Sequence, residues 1–371
     1  MGHDVSDGII RNWLEQQALP LWADAGVDPA GGFVECLAAD GTPDRAAARR
    51  SLVQARQIYT YSHAAMLGLM PDGLSAADQG FAFLMRHCCP DGAANGFVMA
   101  VSNAGAVTDP RRDTYTHAFL LFAFSWFYRA TGRADVLAAI EGVLAALERL
   151  RHPSGLGYLE GDDAVQPRRQ NPHMHLLEAF LAAHAATGRP DMLARAGEIH
   201  DLFREKFFDG QVLREFFTDD LAPAPGEVGD IVEPGHHFEW VWLLRQYDRA
   251  AGTDSTPAMR ALAGFAQRHG VSSASGLIAN EVFSDGRLRN GARRVWPHTE
   301  AIKAHVALGD RAAAEAMVRT LFAHFLAPQD HRVVPGGWID RRDAQDAPVA
   351  AAMPASTFYH VFLAFAEYLE P

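Results

Sequence analysis

Cysteine is scarce in this chain: Cys36, Cys88 and Cys89 are its only three in 371 residues. An odd count with no CxxC spacing argues against a disulfide framework and a cysteine-built zinc site, so ordinary thiols are expected. Long apolar runs are missing too. The richest, from Ala118 to Tyr128, is too short to span a bilayer. The opening MGHDVSDGIIRNWLEQQ has neither the basic start nor the apolar stretch of a secretory signal, so a soluble cytoplasmic protein is expected. Positive charge is in deficit. Against 45 Asp and Glu stand 33 Lys and Arg, a net charge of −12, which argues against nucleic acid and anionic membranes as partners. GxGxxG, P-loop and GxSxG signatures are absent, so no motif implies a nucleotide or a serine nucleophile.

What the chain does have is a repeat. Polar positions, mostly histidine, recur at Arg56, His117, His175, His236, Trp296 and His360, with gaps of 61, 58, 61, 60 and 64 residues. Each opens an apolar run of helix length. Glycines at 132, 188, 252 and 309 punctuate the ends of such runs, with Gly73 as an earlier member, and each is closely followed by Asp or Ser. Glycine suits the left-handed residue past a helix end, and Asp or Ser the N-cap of the next helix.

The run after each glycine is amphipathic. From Asp135, apolar residues fall at 136, 137, 140, 143, 144, 147 and 150, the spacing of a helix with one wet face. HAFLLFAFSWFY and HFEWVWLL are apolar almost all round, which marks buried helices. Six outer helices are expected near 5–22, 75–88, 134–152, 191–207, 254–269 and 310–326. Six inner ones are expected near 50–70, 114–130, 173–187, 236–250, 298–308 and 357–369. The fold class is all-α: a closed (α/α)6 barrel over residues 1–371 as one catalytic domain. Short β-hairpins in the long loops, such as GGFVECLAADG and GQVLREFFTDD, roof one end, and function belongs there.

The inner-helix starts gather the chemistry: Arg56; Tyr115 and His117; Asn171, His173, His175 and Glu178; His236, Glu239 and Trp240; Trp296 and Glu300; His360. His175 with Glu178 and His236 with Glu239 share a helix face three residues apart, and a carboxylate there fixes a histidine's tautomer. Each residue also has a structural reading, since a lone histidine is more often a core or capping group. His173-x-His175 has no coherent ligand set around it, so neither metal nor cofactor is expected. Imidazoles suit acid and base work, Arg stabilises developing oxyanions, and tryptophan faces suit sugars. Proton abstraction next to a sugar carbonyl uses this set best.

VQARQIY, NPHMHLLEA, EPGHHFEW and WPHTEA together resemble the N-acylglucosamine 2-epimerase superfamily, from about Trp13 to Tyr368, and most of all its D-mannose isomerase branch. The resemblance implies the (α/α)6 barrel. It also implies His236 and His360 as the acid/base pair, with Glu239 orienting His236. Arg56, Tyr115, His117, Asn171, His175, Glu178, Trp296 and Glu300 would bind substrate. DTYTHAF departs from the family pattern, with Thr116 before the histidine. The expected reaction is mannose to fructose through a cis-enediol, with 2-epimerisation by the same residues as the runner-up. The partner is a monosaccharide; the chain is a monomer or homodimer. An (α/α)6 glycoside hydrolase using Glu178, Glu239 or Glu300 and a non-catalytic sugar-binding protein are the readings from other classes.

Overall fold

A buried segment and an amphipathic one alternate along the chain, and in the computed structural model they form paired helices. The structure describes residues 5–163, 165–349 and 351–370. Helix α1 (Val5–Trp13) continues through a π turn at Leu14–Ala18 into α2 (Leu19–Asp24), and the chain then crosses to α3 (Ser51–Met66). Five further pairs follow: α4 (Gly73–Phe83) with α5 (Thr114–Thr131), α6 (Ala134–Arg149) with α7 (Gln170–Thr187), α8 (Pro190–Leu202) with α9 (Pro234–Ala251), α10 (Thr256–Phe265) with α11 (Val295–Ala307), and α12 (Arg311–Leu321) with α13 (Ala355–Leu369). The second helix of each pair lies inside. α3 packs on α5, α5 on α7, α7 on α9, α9 on α11, α11 on α13, and α13 back on α3. That last contact closes the ring, so this is an (α/α)6 barrel and not an open solenoid. No helix among the described residues is long and apolar enough to cross a membrane.

The tight turns lie at one end. Gly132, Gly188 and Gly252 stop α5, α7 and α9 at φ of 65°, 69° and 71°, each donating its N–H to the carbonyl four residues back. Only glycine takes this left-handed conformation without strain. In the first unit Gly68 (φ 71°) does this work. Gly73, the residue expected there, is instead the first residue of α4. The expected acidic caps are also only partly realised. Asp310 caps α12 through the Ala313 N–H, whereas Asp135 and Asp191 lie in their helices' first turns, paired with Arg133 and Arg189.

At the other end, short strands lead into the inner helices and pair around the ring. Arg49–Arg50 pairs with Ala100–Val101, Arg168–Arg169 with Phe216–Phe217, Ile231–Val232 with Val282–Phe283, and Arg293–Arg294 with Arg341–Arg342. Cys36–Ala38 pairs with Ala352–Pro354 just before α13, tying the first loop to the last helix. Five of the six outer helices contain a π turn. The carbonyls of Cys88, Phe207, Gly270 and Phe325, in or at the ends of these turns, accept N–H bonds from Val98, Arg214, Ala279 and Ile339 of the loops that follow.

Candidate active site

Two histidine registers are interleaved at the inner-helix starts, one tied to the loops and one gathered around the barrel axis. Four residues after the residue that precedes each of the first five inner helices stand Gln54, His117, His173, His237 and His298. The Nε2 atoms of the four histidines accept the N–H groups of Phe97, Tyr158, Leu213 and Ile278 at 3.0, 3.0, 3.1 and 2.9 Å. Their Nδ1–H groups must therefore donate to the carbonyls of Asp113, Arg169, Glu233 and Arg294. Gln54 does the same for Phe33. Burial, the leading cause, holds the rings neutral and lowers His173 and His298 to about 3 and His237 to about 4. These histidines staple each loop to its helix.

His117, expected to bind substrate, is thus corrected to a structural role: both its ring nitrogens are used by backbone. Its loss leaves the buried Phe97 N–H unpaired, so His117→Ala should destabilise the fold by about 1–3 kcal/mol. Urea unfolding would show this, with KM unchanged in the folded fraction. Trp240 is corrected as well. It is fully buried, donates to Gln170 at 2.8 Å and stacks on Phe203, so it belongs to the core.

Six residues after the same reference points stand Arg56, Phe119, His175, Glu239, Glu300 and His360. These are the equivalent positions of the repeat, and they form a ring around the barrel axis. The Arg56 guanidinium lies 4.1 Å from the Phe119 ring centre, and the Phe119 and His175 rings are 4.4 Å apart. His175 Nδ1 is 3.9 Å from Glu239. Glu239, Glu300 and His360 place ligand-type atoms within 4.8 Å of one another. Arg56 closes the circle, donating to the Ser356 carbonyl at 2.9 Å and the Tyr115 hydroxyl at 2.8 Å. In the sequence repeat, His117, His236 and Trp296 had stood in the places of Phe119, Glu239 and Glu300. The apolar runs mark where helices start but leave the register within a turn open.

Above this ring stands Trp296, between two histidines. Its ring centre is 5.1 Å from His236 and 5.7 Å from His360. Gly235, in the first turn of α9, makes room for it: a Cβ there would stand 2.5 Å from the indole. Gly235→Ala should push Trp296 off its place and lower kcat/KM by about 10²-fold. Steady-state kinetics would measure this, with the melting temperature reporting any loss of fold.

Each pocket histidine is held through Nδ1 by a carboxylate, which leaves Nε2 to the pocket. His175 pairs with Glu178 at 3.0 Å, His236 with Glu215 at 2.9 Å and His360 with Glu300 at 2.8 Å. Glu215, and not Glu239 as expected, orients His236. The hairpin sets Glu215 against both α7 and α9, where Gln170 also donates to it at 2.9 Å. Glu239 is buried, and neither of its carboxylate oxygens has a hydrogen-bond partner. The buried Oδ1 of Asn171 is likewise unpaired.

The environments of the two outer histidines diverge. Burial opposes charge on His236, but Glu215 and Glu233 outweigh it and raise the imidazolium pKa to about 10. For His360, burial and the cations Arg56 and Lys303 hold the ring neutral, with its pKa well below 6.5. Below them, burial raises Glu178 to about 7, against Lys303 and the Tyr359 hydroxyl that donates to it. Glu239 is pushed well above the usual range by burial and by Glu300. The fully buried Lys303 ammonium is 2.6 Å from Glu300 and 4.1 Å from the Trp242 ring centre.

His175–Glu178–Glu239, Glu215–Glu233–His236 and Glu239–Glu300–His360 hold the donor types of a divalent-cation site. In each, a histidine Nδ1 is already engaged by a carboxylate.

Glu215, Phe119, Lys303 and Tyr359 were missed in the sequence. Two of them had a signal. Glu35, Glu160 and Glu215 occupy one place in the first, third and fourth of the long loops. Glu35 accepts the Arg50 N–H and Glu160 the Arg169 N–H at the starts of inner helices. Lys303 is one of only two lysines in the chain, and it sits in an apolar helix.

The model of the N-acylglucosamine 2-epimerase (GlcNAc 2-epimerase) family matches residues 31–364. A Rhizobium meliloti (strain 1021) protein named mannose-6-phosphate isomerase is 36% identical, over 99% of this chain and 98% of its own. A D-mannose isomerase of Thermobifida fusca is 29% identical, over 95% and 93%. The structure of a cellobiose 2-epimerase from Bacillus thermoamylovorans superposes with a TM-score of 0.85 at 21% identity, covering 98% of both chains.

Proposed function

Because this chain belongs to the N-acylglucosamine 2-epimerase family and so is a sugar isomerase or epimerase, we propose that it converts free D-mannose to D-fructose. The carrying observation is the placing of His236 and His360 on either side of Trp296, each held through Nδ1 by its own carboxylate, in surroundings that raise the pKa of the first and lower that of the second. Two groups whose surroundings push their pKa values apart divide into acid and base.

The sugar lies against Trp296 between them. The His236 imidazolium donates to the ring oxygen as the C1–O5 bond breaks and takes back the O1 proton, so the open aldehyde faces a recharged His236. Neutral His360 takes the proton from C2 while His236 protonates O1, giving a cis-enediol. His360 then delivers its proton to C1 and His236 takes the O2 proton, which leaves the C2 ketone and both rings as they began. Arg56 and His175 hold sugar oxygens, and Tyr115 fixes Arg56. Glu239 and Asn171 offer their unpaired buried oxygens to sugar hydroxyls.

Both an isomerase of free mannose and a protein named for mannose 6-phosphate are similar to this chain. Of the pocket's cations, Lys303 is paired with Glu300 and the charged His236 with Glu215, which leaves Arg56 to meet a phosphate by itself, so a neutral hexose is favoured over its phosphate. A 2-epimerase is the second reading, since a charged His236 could return the proton to C2 from the other face. A hydrolase is disfavoured because Glu178 and Glu300 stand behind histidines.

The test is NMR of D-mannose with the protein in D2O, with mannose 6-phosphate in parallel. Fructose is expected, with deuterium at C1 wherever His360 exchanges its proton with solvent before delivering it. Glucose labelled at C2 would establish the epimerase, and hexoses that neither convert nor exchange would overturn proton transfer altogether.

A further inference from the structure

The barrel has a second mouth. At the tight-turn end, the C-terminal halves of α5, α7, α9 and α13 surround a cavity of about 320 Å³, near the lower end of the roughly 300–1,000 Å³ of ligand pockets. Phe122, Trp126 and Trp242 give it aromatic walls, and Gln246 and Glu367 give it polar ones. The buried indole Nε1–H of Trp126 has no hydrogen-bond acceptor. Gln246 reaches Glu367 only at 3.4 Å, which leaves both with capacity to spare.

The innermost wall of this cavity is shared with the active site. Glu178 lines it, and the same carboxylate holds His175 Nδ1 at 3.0 Å and accepts from Tyr359. Trp242 also has two neighbours. One face lines the cavity, and its ring carries the Lys303 ammonium that pairs with Glu300, the holder of His360. A molecule seated here touches the supports of two pocket histidines without entering the pocket.

The walls select the occupant. Glu178 and Glu367 oppose an anion, and Arg129 and Arg249 oppose a cation. The metal-type group that includes a lining residue, His175–Glu178–Glu239, has its other two members in the active site and not in this cavity. The Trp126 ring is itself covered, by His63 at 4.0 Å and by the Arg129 guanidinium at 4.7 Å, so what it offers is its indole N–H; that unused donor, the Trp242 ring, a carboxylate and an amide suit a molecule with C–H faces and hydroxyls that both donate and accept. We propose that this cavity is a second binding site for a neutral hexose or hexitol, linked through Glu178 to His175. The link to catalysis rests on the isomerase reading; the binding itself does not.

Two-dimensional ¹H–¹⁵N NMR of the tryptophan indoles tests this, with D-mannitol as the probe because it has no carbonyl to react. Trp126→Phe identifies the Trp126 signal by its disappearance. In the wild type that signal is expected to shift and saturate. Ala185→Trp fills the cavity from its wall and should abolish the Trp126 shift, while kcat/KM on mannose and the other indole signals stay as they were. By calorimetry, Trp126→Phe should weaken the second site about two- to ten-fold through the lost hydrogen bond. A Trp126 signal unmoved by saturating mannitol, or a shift that survives Ala185→Trp, would overturn the proposal. If mannitol binds at both mouths but no hexose turns over, the isomerase reading fails and the second site stands.

Discussion

Replacing His360 with asparagine is expected to lower kcat on mannose by about 10²- to 10⁴-fold, the usual contribution of a positioned base, with little change in KM. Asparagine can still donate to Glu300, the partner that His360 meets at 2.8 Å, so the packing around α13 is kept. What disappears is the free Nε2 lone pair. The sugar keeps Arg56, His175 and Trp296, and so its affinity. Circular dichroism would verify the fold. A variant with intact kcat and raised KM would show that His360 binds the sugar without taking its proton.

The second large effect is expected from Glu215→Gln. Glu215 is the nearest carboxylate to His236, at 2.9 Å, and both are buried. Glutamine fills the same space without the charge, so burial, which lowers a histidine pKa, acts with less opposition. The alkaline limb of kcat/KM, set near pH 10 by His236, should move down toward 6.5 or below. At neutral pH kcat/KM should fall by about 10²- to 10³-fold, the scale of losing one preorganised donor to a developing oxyanion. Conformational stability should change with it. His236 has a raised folded pKa, so its contribution is fully present below roughly pH 6.5 and is lost as pH rises through about 10. Glu215 has a lowered one, so its contribution is lost only as pH falls through the acid range. Unfolding of the wild type should therefore become easier between about pH 6.5 and 10, and this slope should shrink in Glu215→Gln. An unchanged alkaline limb would mean that Glu215 is a packing residue.

The barrel was legible because it is written in burial. Helix α5, apolar on every side, and α6, with one wet face, differ in pattern before any coordinate is known. The glycines at 132, 188 and 252 mark turns that only left-handed residues make easily. The π turns were not legible, since a single widened turn leaves the apolar spacing almost intact. Register within the inner-helix starts was the harder matter. His117 and His175 look alike as letters, yet they stand four and six residues into their helices and face a loop and the pocket, respectively. Glu215 lay out of reach for another reason: it comes from a hairpin, 21 residues before the histidine it serves. The matching carboxylates Glu35 and Glu160 each hold the residue that precedes an inner helix, Arg50 and Arg169, and at Glu215 that position is turned to a histidine.

The division of charge between His236 and His360 is the centre of this account, and ¹⁵N NMR of histidine-labelled protein at pH 7.5 reads it directly. His236 should show two protonated nitrogens, with chemical shifts unchanged until the pH approaches 10. His360 should show one protonated nitrogen, Nδ1, and a free Nε2. If both rings are neutral at pH 7.5, or if His360 is the charged one, the assignment of acid and base is wrong.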